Sequence, residues 1–169
     1  TTRAGVAFRW TNLATTQQAA LNIGPTGTTD TQGAARLDYL RGSRQHEGTG
    51  NNYRTRLHIL GDLINSDPFF VGRPPFPDSL GGGYAAFRNT YANRTPVVYI
   101  GGNDGMLHAI NANNGSEIFG YVPAEIFGNL SRLPRTSYTH RYYVDGSPTA
   151  GDVLLGGSWR TVLVGGLRG

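Results

Sequence analysis

Asp104 is the first residue that could do chemistry: it stands in Asn103-Asp104-Gly105, where a carboxylate on a short turn can ligate a metal ion. A single carboxylate there more commonly builds the turn, so Asp104 is a weak candidate ligand and no metal site is assigned. Asn111-Ala112-Asn113-Asn114-Gly115 offers only neutral amides and lacks the bidentate glutamate that a calcium loop needs twelve residues on, so it reads as a second turn. His108 lies mid-strand beside Leu107 and Ala109, the setting of a partly buried histidine with its hydrogen bonds satisfied. His140, Arg141, Tyr142 and Tyr143, next to Tyr138, are the interaction candidates. Such a group can be structural, can face a protein partner, or can stack on a sugar or a base.

The motifs of catalysis are missing. The chain has no G-x-S-x-G elbow, no H-E-x-x-H, no Walker loop and no G-x-G-x-x-G. Gly81-Gly82-Gly83 before Tyr84 imitates a phosphate nest but has no lysine after it, so it reads as a connector. With no cysteine, disulfides, thiolate metal sites and thiol nucleophiles are excluded. Three matches to the glycosylation sequon, at Asn93, Asn114 and Asn129, carry no weight at that length of pattern.

Composition narrows the fold. The 169 residues include 25 glycines, 9 prolines and 9 tyrosines, with 38% hydrophobic and only 15% charged residues, a mix that suits a β domain rich in tight turns. The net charge of +4 comes from arginines spread along the chain, Arg36, Arg41 and Arg44 in one place and Arg132, Arg135 and Arg141 in another, so no nucleic-acid partner is expected. No apolar run is long enough to span a bilayer, and TTRAGVAFRW has no apolar signal region, so an export signal is expected outside these residues.

The elements that must position the candidates follow from the pattern. Ala14 to Leu21 predicts a short helix capped by Thr15 or Thr16, and Ala34 to Leu40 a further helical turn stopped by Gly42. Arg44 to Asn52 is expected as an exposed loop, with Asn22 to Gly33 and Gly72 to Gly83 as further loops. Arg56 to Val71 is apolar and breaks at Asn65-Ser66-Asp67-Pro68 into two strand-like pieces. Tyr84 to Ala92 puts Tyr84, Phe87, Arg88 and Tyr91 on one helical face, as core packing requires. Val97 to Gly101, Met106 to Asn111 and Ser116 to Val122 predict three strands, turned by Asn103, Asp104 and Gly105 and then by Asn114 and Gly115, residue types that tolerate positive φ. Pro123 starts a helical segment to Leu130; Tyr142 to Val144, Ser147 to Leu155 and Trp159 to Leu167 predict further strands. A lone three-stranded meander leaves edges and a face uncovered, and a radial array of blades is the simplest remedy.

YIGGNDGMLHAINANNGSEIFGYVP resembles the signature of the PilY family, called PilC in neisseriae, of proteins at the tip of type IV pili. YLRGSRQHEG, RTRLHILGDLINSDPFFVG, YAAF, YTHRYYVDGSPTAGDV and WRTVLVGGL resemble successive family segments in the same order, and WTNLATTQQAAL suits the stretch before them. The resemblance implies a mainly β fold, part of a quinoprotein-like seven-bladed β-propeller, with a few short helices in long loops. It places a pre-propeller segment and loops at 1–50 and the first part of the propeller at 51–169, with one complete blade meander near 97–122 and the next begun near 142–169. Family members commonly carry Arg-Gly-Asp where this chain has Arg41-Gly42-Ser43, and the family's calcium loop has no counterpart here. No cofactor is therefore expected in this chain, and calcium is expected at a propeller site outside it.

The function implied is non-enzymatic: pilus assembly, surface adhesion and twitching motility. The expected place is exported, at the pilus tip or outer-membrane surface. The partners implied are minor and major type IV pilins and host or abiotic surfaces, and open sheet edges also allow self-association. Two alternatives stand beside it. Ile100 to Gly115 also fits the blade pattern of quinone (PQQ)-dependent dehydrogenases, and Tyr138 to Tyr143 could serve a carbohydrate-binding module.

Overall fold

The structure, a computed structural model, describes residues 5–48 and 53–167. Residues 49–52 of the expected loop Arg44–Asn52 lie outside the described residues. In chain order the elements are α1 (Thr15–Leu21), α2 (Gly33–Leu40), β1 (Phe69–Val71), α3 (Tyr84–Thr90), β2 (Val97–Gly101), β3 (Leu107–Asn111), β4 (Glu117–Tyr121), α4 (Phe127–Leu130), β5 (Thr149–Leu155) and β6 (Ser158–Val164). They divide between two units: Thr1–Gly61 with Val122–Arg141, and Asp62–Tyr121 with Tyr142–Gly169.

The first unit is helical. Leu21 of α1, Leu37 of α2 and Leu130 of α4 are buried with Leu133. Each such side chain contributes about 1.5–3 kcal/mol through area removed from water. The expected threonine cap of α1 is not used: Thr15 and Thr16 already lie in the first turn, Ala14 is the N-cap, and its N–H is taken by Gln17 Oε1 at 3.0 Å. Glycine opens α2 because a Cβ at Gly33 would lie 2.5 Å from the Trp10 ring and 2.4 Å from Asn22 Oδ1. Arg36, buried in α2, donates to Leu21 O at 2.9 Å and pairs with Asp30 through both terminal nitrogens. That hydrogen-bonded arginine and the backbone bond to Asp30 from Gln32 outweigh desolvation and hold the Asp30 carboxyl below its usual range.

Arg56 organises the other end of this unit. Its guanidinium lies 3.6 Å from the Tyr39 ring centroid, donates to Glu47 Oε1, Tyr39 O and Ser43 O at 2.7 Å each, and is buried. The expected strand before Asn65 is absent: Leu57, Ile59, Leu60, Leu63 and Ile64 are exposed and irregular, and of the two strand-like pieces only Phe69–Val71 forms one.

The second unit holds a four-stranded antiparallel sheet in the order β1-β2-β3-β4 and a two-stranded sheet, β5-β6. The meander is therefore completed by a strand from upstream: β1 pairs with β2 in the register Phe69↔Tyr99 to Val71↔Val97. Gly102 N–H bonds Met106 O at 2.8 Å to close the β2–β3 turn, and Gly105 supplies the positive φ of +92°. Among the described residues no non-glycine has positive φ, so Asp104, Asn111 and Asn114 serve these turns through side-chain bonds and not through left-handed backbone. Asn111 Oδ1 accepts from Asn113 N, and Asn114 Oδ1 from Ser116 N. β3 and β4 slip register between Ala109 and Ile110. Gly156 and Gly157, both at positive φ, make the tight β5–β6 turn. Tyr142–Val144 is not a strand; its backbone is engaged by the β2–β3 turn, as described next.

Of the expected face of α3 only Tyr84 is buried; Phe87 and Arg88 are half-buried and Tyr91 is exposed. Tyr84 is fully buried, 4.8 Å from the Trp159 ring, and donates its hydroxyl to Asp152 Oδ2 at 2.7 Å. Burial and that carboxylate raise the Tyr84 phenol above its ordinary pKa. Phe87 continues the stack to Tyr91.

Candidate functional site

The densest polar arrangement in the second unit lies where the leading segments of its two sheets meet. Asp145 is 0% exposed. Its Oδ1 accepts the N–H groups of Ile64 and Asn65 at 3.2 and 3.1 Å, and its Oδ2 accepts Asn65 Nδ2 at 2.6 Å. Burial works to raise this carboxyl, but the bonds from the Asn65 side chain and from the backbone N–H groups of Asn65 and Ile64 hold it below the usual carboxylate range. Ser66 Oγ accepts Gly101 N–H at 2.9 Å and donates to Gly146 O at 3.3 Å. Asp67 N–H bonds Ser147 Oγ at 3.0 Å. From the other side, Asn103 Oδ1 accepts Tyr143 N–H at 3.0 Å and Gly102 O accepts Val144 N–H at 3.3 Å.

The clasp joins segments of similar turn composition. Ser66-Asp67-Pro68 leads into β1 and Gly146-Ser147-Pro148 leads into β5; β2 runs out into Gly101-Gly102 and β6 into Gly165-Gly166. The backbones touch where these motifs cross. A Cβ on Gly101 would lie 1.8 Å from Val144 O, and one on Gly146 would lie 2.6 Å from Gly166 O, so both positions require glycine for close approach. Most side-chain and N–H groups of the clasp are spent on one another, with Asn103 Nδ2 buried and making no hydrogen bond. What the arrangement does is hold the start of one sheet against the start of the next.

A second cluster fastens β4 to the β2–β3 turn. His108 is 4% exposed and bridges two carboxylates: Nδ1 to Glu117 Oε1 at 2.7 Å and Nε2 to Asp104 Oδ2 at 3.1 Å. Both ring nitrogens face acceptors, so the ring must donate twice, as only imidazolium can. Desolvation opposes the charge, but Asp104 and Glu117 prevail and raise the His108 pKa to about 9. Asp104, the sequence candidate for a metal, thus spends its carboxylate on His108 and on the Met106 N–H. Among the described residues no group of three or more His, Asp or Glu is placed to hold a metal ion.

The remaining candidates are distributed. His140 and Arg141 are exposed in the first unit, where Arg141 N–H bonds Tyr138 Oη at 3.2 Å and Arg54 covers the Tyr138 ring. In the second unit Tyr142 is exposed, whereas Tyr143 is 2% exposed and belongs to the core. Asn103 and Gly105 stand in the turn that serves the clasp, and Asn114 and Gly115 in the exposed β3–β4 turn. Sequence reasoning missed Asp145, Asn65 and Ser66. The signal that could have found them is the recurrence of a serine shortly before proline at the head of each sheet.

The family model described as the PilY1 beta-propeller domain matches residues 60–169. The chain is 41% identical over 172 aligned residues, 95% of its length and 15% of the relative's, to the "Type IV pilus biogenesis factor PilY1" of Pseudomonas aeruginosa strain PAK. It is 45% identical over 156 residues, 86% of this chain and 13% of the relative, to a "Type IV pilus biogenesis factor PilY1 homolog" of Xylella fastidiosa. The chain spans about one seventh of the length of these relatives. No solved structure matches it. The relatives cover nearly the whole sequence and the family model its last two thirds: the chain belongs to the PilY1 family, and residues 60–169 to its β-propeller domain.

Proposed function

We propose that this chain is the opening part of a β-propeller that works in type IV pilus biogenesis as a structural, non-enzymatic element. The observation that carries the reading is the likeness to named pilus biogenesis factors along 95% of the chain. The clasp suits a mechanical role, because it joins two successive sheets through bonds between residues some 80 positions apart. In this reading the protein is exported and displayed at the pilus tip or outer-membrane surface. It meets minor and major pilins there and supports pilus assembly, surface adhesion and twitching. This chain needs no cofactor, and any calcium is held elsewhere in the propeller. The test is a gene deletion scored for twitching, with the protein sought in sheared pili by mass spectrometry. Lost motility and recovery of the protein with the pili are expected. Unchanged twitching together with pili free of the protein would refute the reading.

A further inference from the structure

The second unit contains a groove that the clasp does not use. It runs beside β1 and β5, from the rings of Phe70 and Phe76 over Arg94 and Thr161 to Tyr99 and Leu163. It has two compartments, of about 240 and 140 Å³, which share Val71, Arg94, Ala150 and Thr161. Each is smaller than the roughly 300–1,000 Å³ of a typical small-molecule pocket and suits one or two side chains.

Its chemistry is mixed. Phe70 is 62% exposed and Phe76 41% exposed at the larger compartment, with Pro75 beside them. Arg94 is fixed in place: Nε donates to Gly72 O and Nη1 to Thr161 Oγ at 2.7 Å. Arg73 also lines the larger compartment. Among the described residues neither arginine is paired with a carboxylate. The one acid in the groove, Asp152, already accepts from the hydroxyls of Tyr84 and Thr161 at 2.7 and 2.6 Å, and no acid lines the smaller compartment.

We propose that this groove docks an extended acidic-apolar segment of a partner protein, with an apolar or aromatic side chain against Phe70 and Phe76 and a neighbouring carboxylate on Arg94 and Arg73. Side chains two apart on an extended chain point the same way, which matches two compartments on either side of a fixed guanidinium. Arginine flanked by exposed aromatic rings is the composition of energetically dominant interface positions, and the unpaired positive charge selects an acid. The inference is independent of the pilus reading, since it rests on the groove alone.

The test selects displayed hexapeptides on the full-length protein. Enrichment of sequences that place Asp or Glu within two residues of an aromatic or aliphatic side chain is expected. The best of them, as a synthetic peptide, should bind at least tenfold more weakly to Arg73→Glu, and to Arg94→Gln, and more weakly when its acid is replaced by the amide. Arg73 makes no hydrogen bond among the described residues, so Arg73→Glu leaves the fold unchanged and keeps the test meaningful if Arg94→Gln unfolds. No enrichment, enrichment without acids, or peptide binding indifferent to Arg73→Glu overturns the proposal. So does Arg73-dependent binding to phosphatidylglycerol vesicles without peptide binding, which would assign the groove to a lipid surface.

Discussion

The carboxylate of Asp145 accepts the backbone N–H groups of Ile64 and Asn65, 81 and 80 positions earlier in the chain. It thereby fixes the head of β1 beside the head of β5. Asp145→Ala removes the acceptor of those part-buried donors, at up to about 1–3 kcal/mol each where water does not replace it. The expected result is a clearly lowered urea midpoint, read by the fluorescence of Trp159 in a Trp10→Phe background. Asp145→Asn, which keeps one acceptor oxygen, should be the milder of the two.

Gly101 and Gly115 make a matched pair of tests. Gly101→Ala drives a Cβ into the Val144 carbonyl, 1.8 Å away, and the obstacle is backbone that cannot swing aside. It should cost about 3 kcal/mol or more, at or beyond the upper end of overpacking penalties. Gly115→Ala has no atom within 4 Å and pays only for a φ of +74°, about 1 kcal/mol. Comparing the two thermal midpoints separates close approach from backbone strain.

The sign of the pH effect at His108 follows from its raised pKa of about 9, against 6.5 for the unperturbed group. Folding favours the proton, so the stabilisation is fully present below about pH 6.5 and is lost as pH rises through about 9. Urea midpoints measured from pH 6 to 9.5 should fall across that window. In His108→Gln, which cannot become a cation, that part of the slope should vanish.

Arg56 is buried with Glu47 and lies over Tyr39. Arg56→Met removes the cation on Glu47 Oε1 and leaves that buried carboxylate to Arg44 Nη1, at 3.4 Å, and the residue-56 backbone N–H, at 3.2 Å. The loss should stay below the cost of an uncompensated buried charge, about 3–5 kcal/mol, because Glu47 keeps two donors. Arg56→Met with Glu47→Gln should recover part of it, and a thermodynamic double-mutant cycle would show the coupling.

What could be read from the sequence was local. The β2–β3–β4 meander was visible because its turns are written within a few residues, in Asn103-Asp104-Gly105 and Asn114-Gly115. The helices at Thr15–Leu21, Gly33–Leu40 and Tyr84–Thr90 were visible by spacing and by glycine stops. What escaped was long-range. Asn65-Ser66-Asp67-Pro68 and Asp145-Gly146 read as turn formers, and nothing local says that one turn caps the other. Arg56 to Ile64 carries the apolar, β-branched composition of a strand, yet Arg56 is drawn into a buried cation site and the segment stays irregular. His108 was legible as a satisfied histidine, but the identity of its second partner, Glu117 on the next strand, depends on the register slip after Ala109.

The most direct test of the central claim is a count of surface pili by electron microscopy in cells lacking the gene, in cells given it back intact, and in cells given the Asp145→Ala allele. The account predicts few or no pili without the gene, full recovery with the intact copy, and failure of the clasp mutant to restore them. Normal piliation in the deletion strain would contradict it.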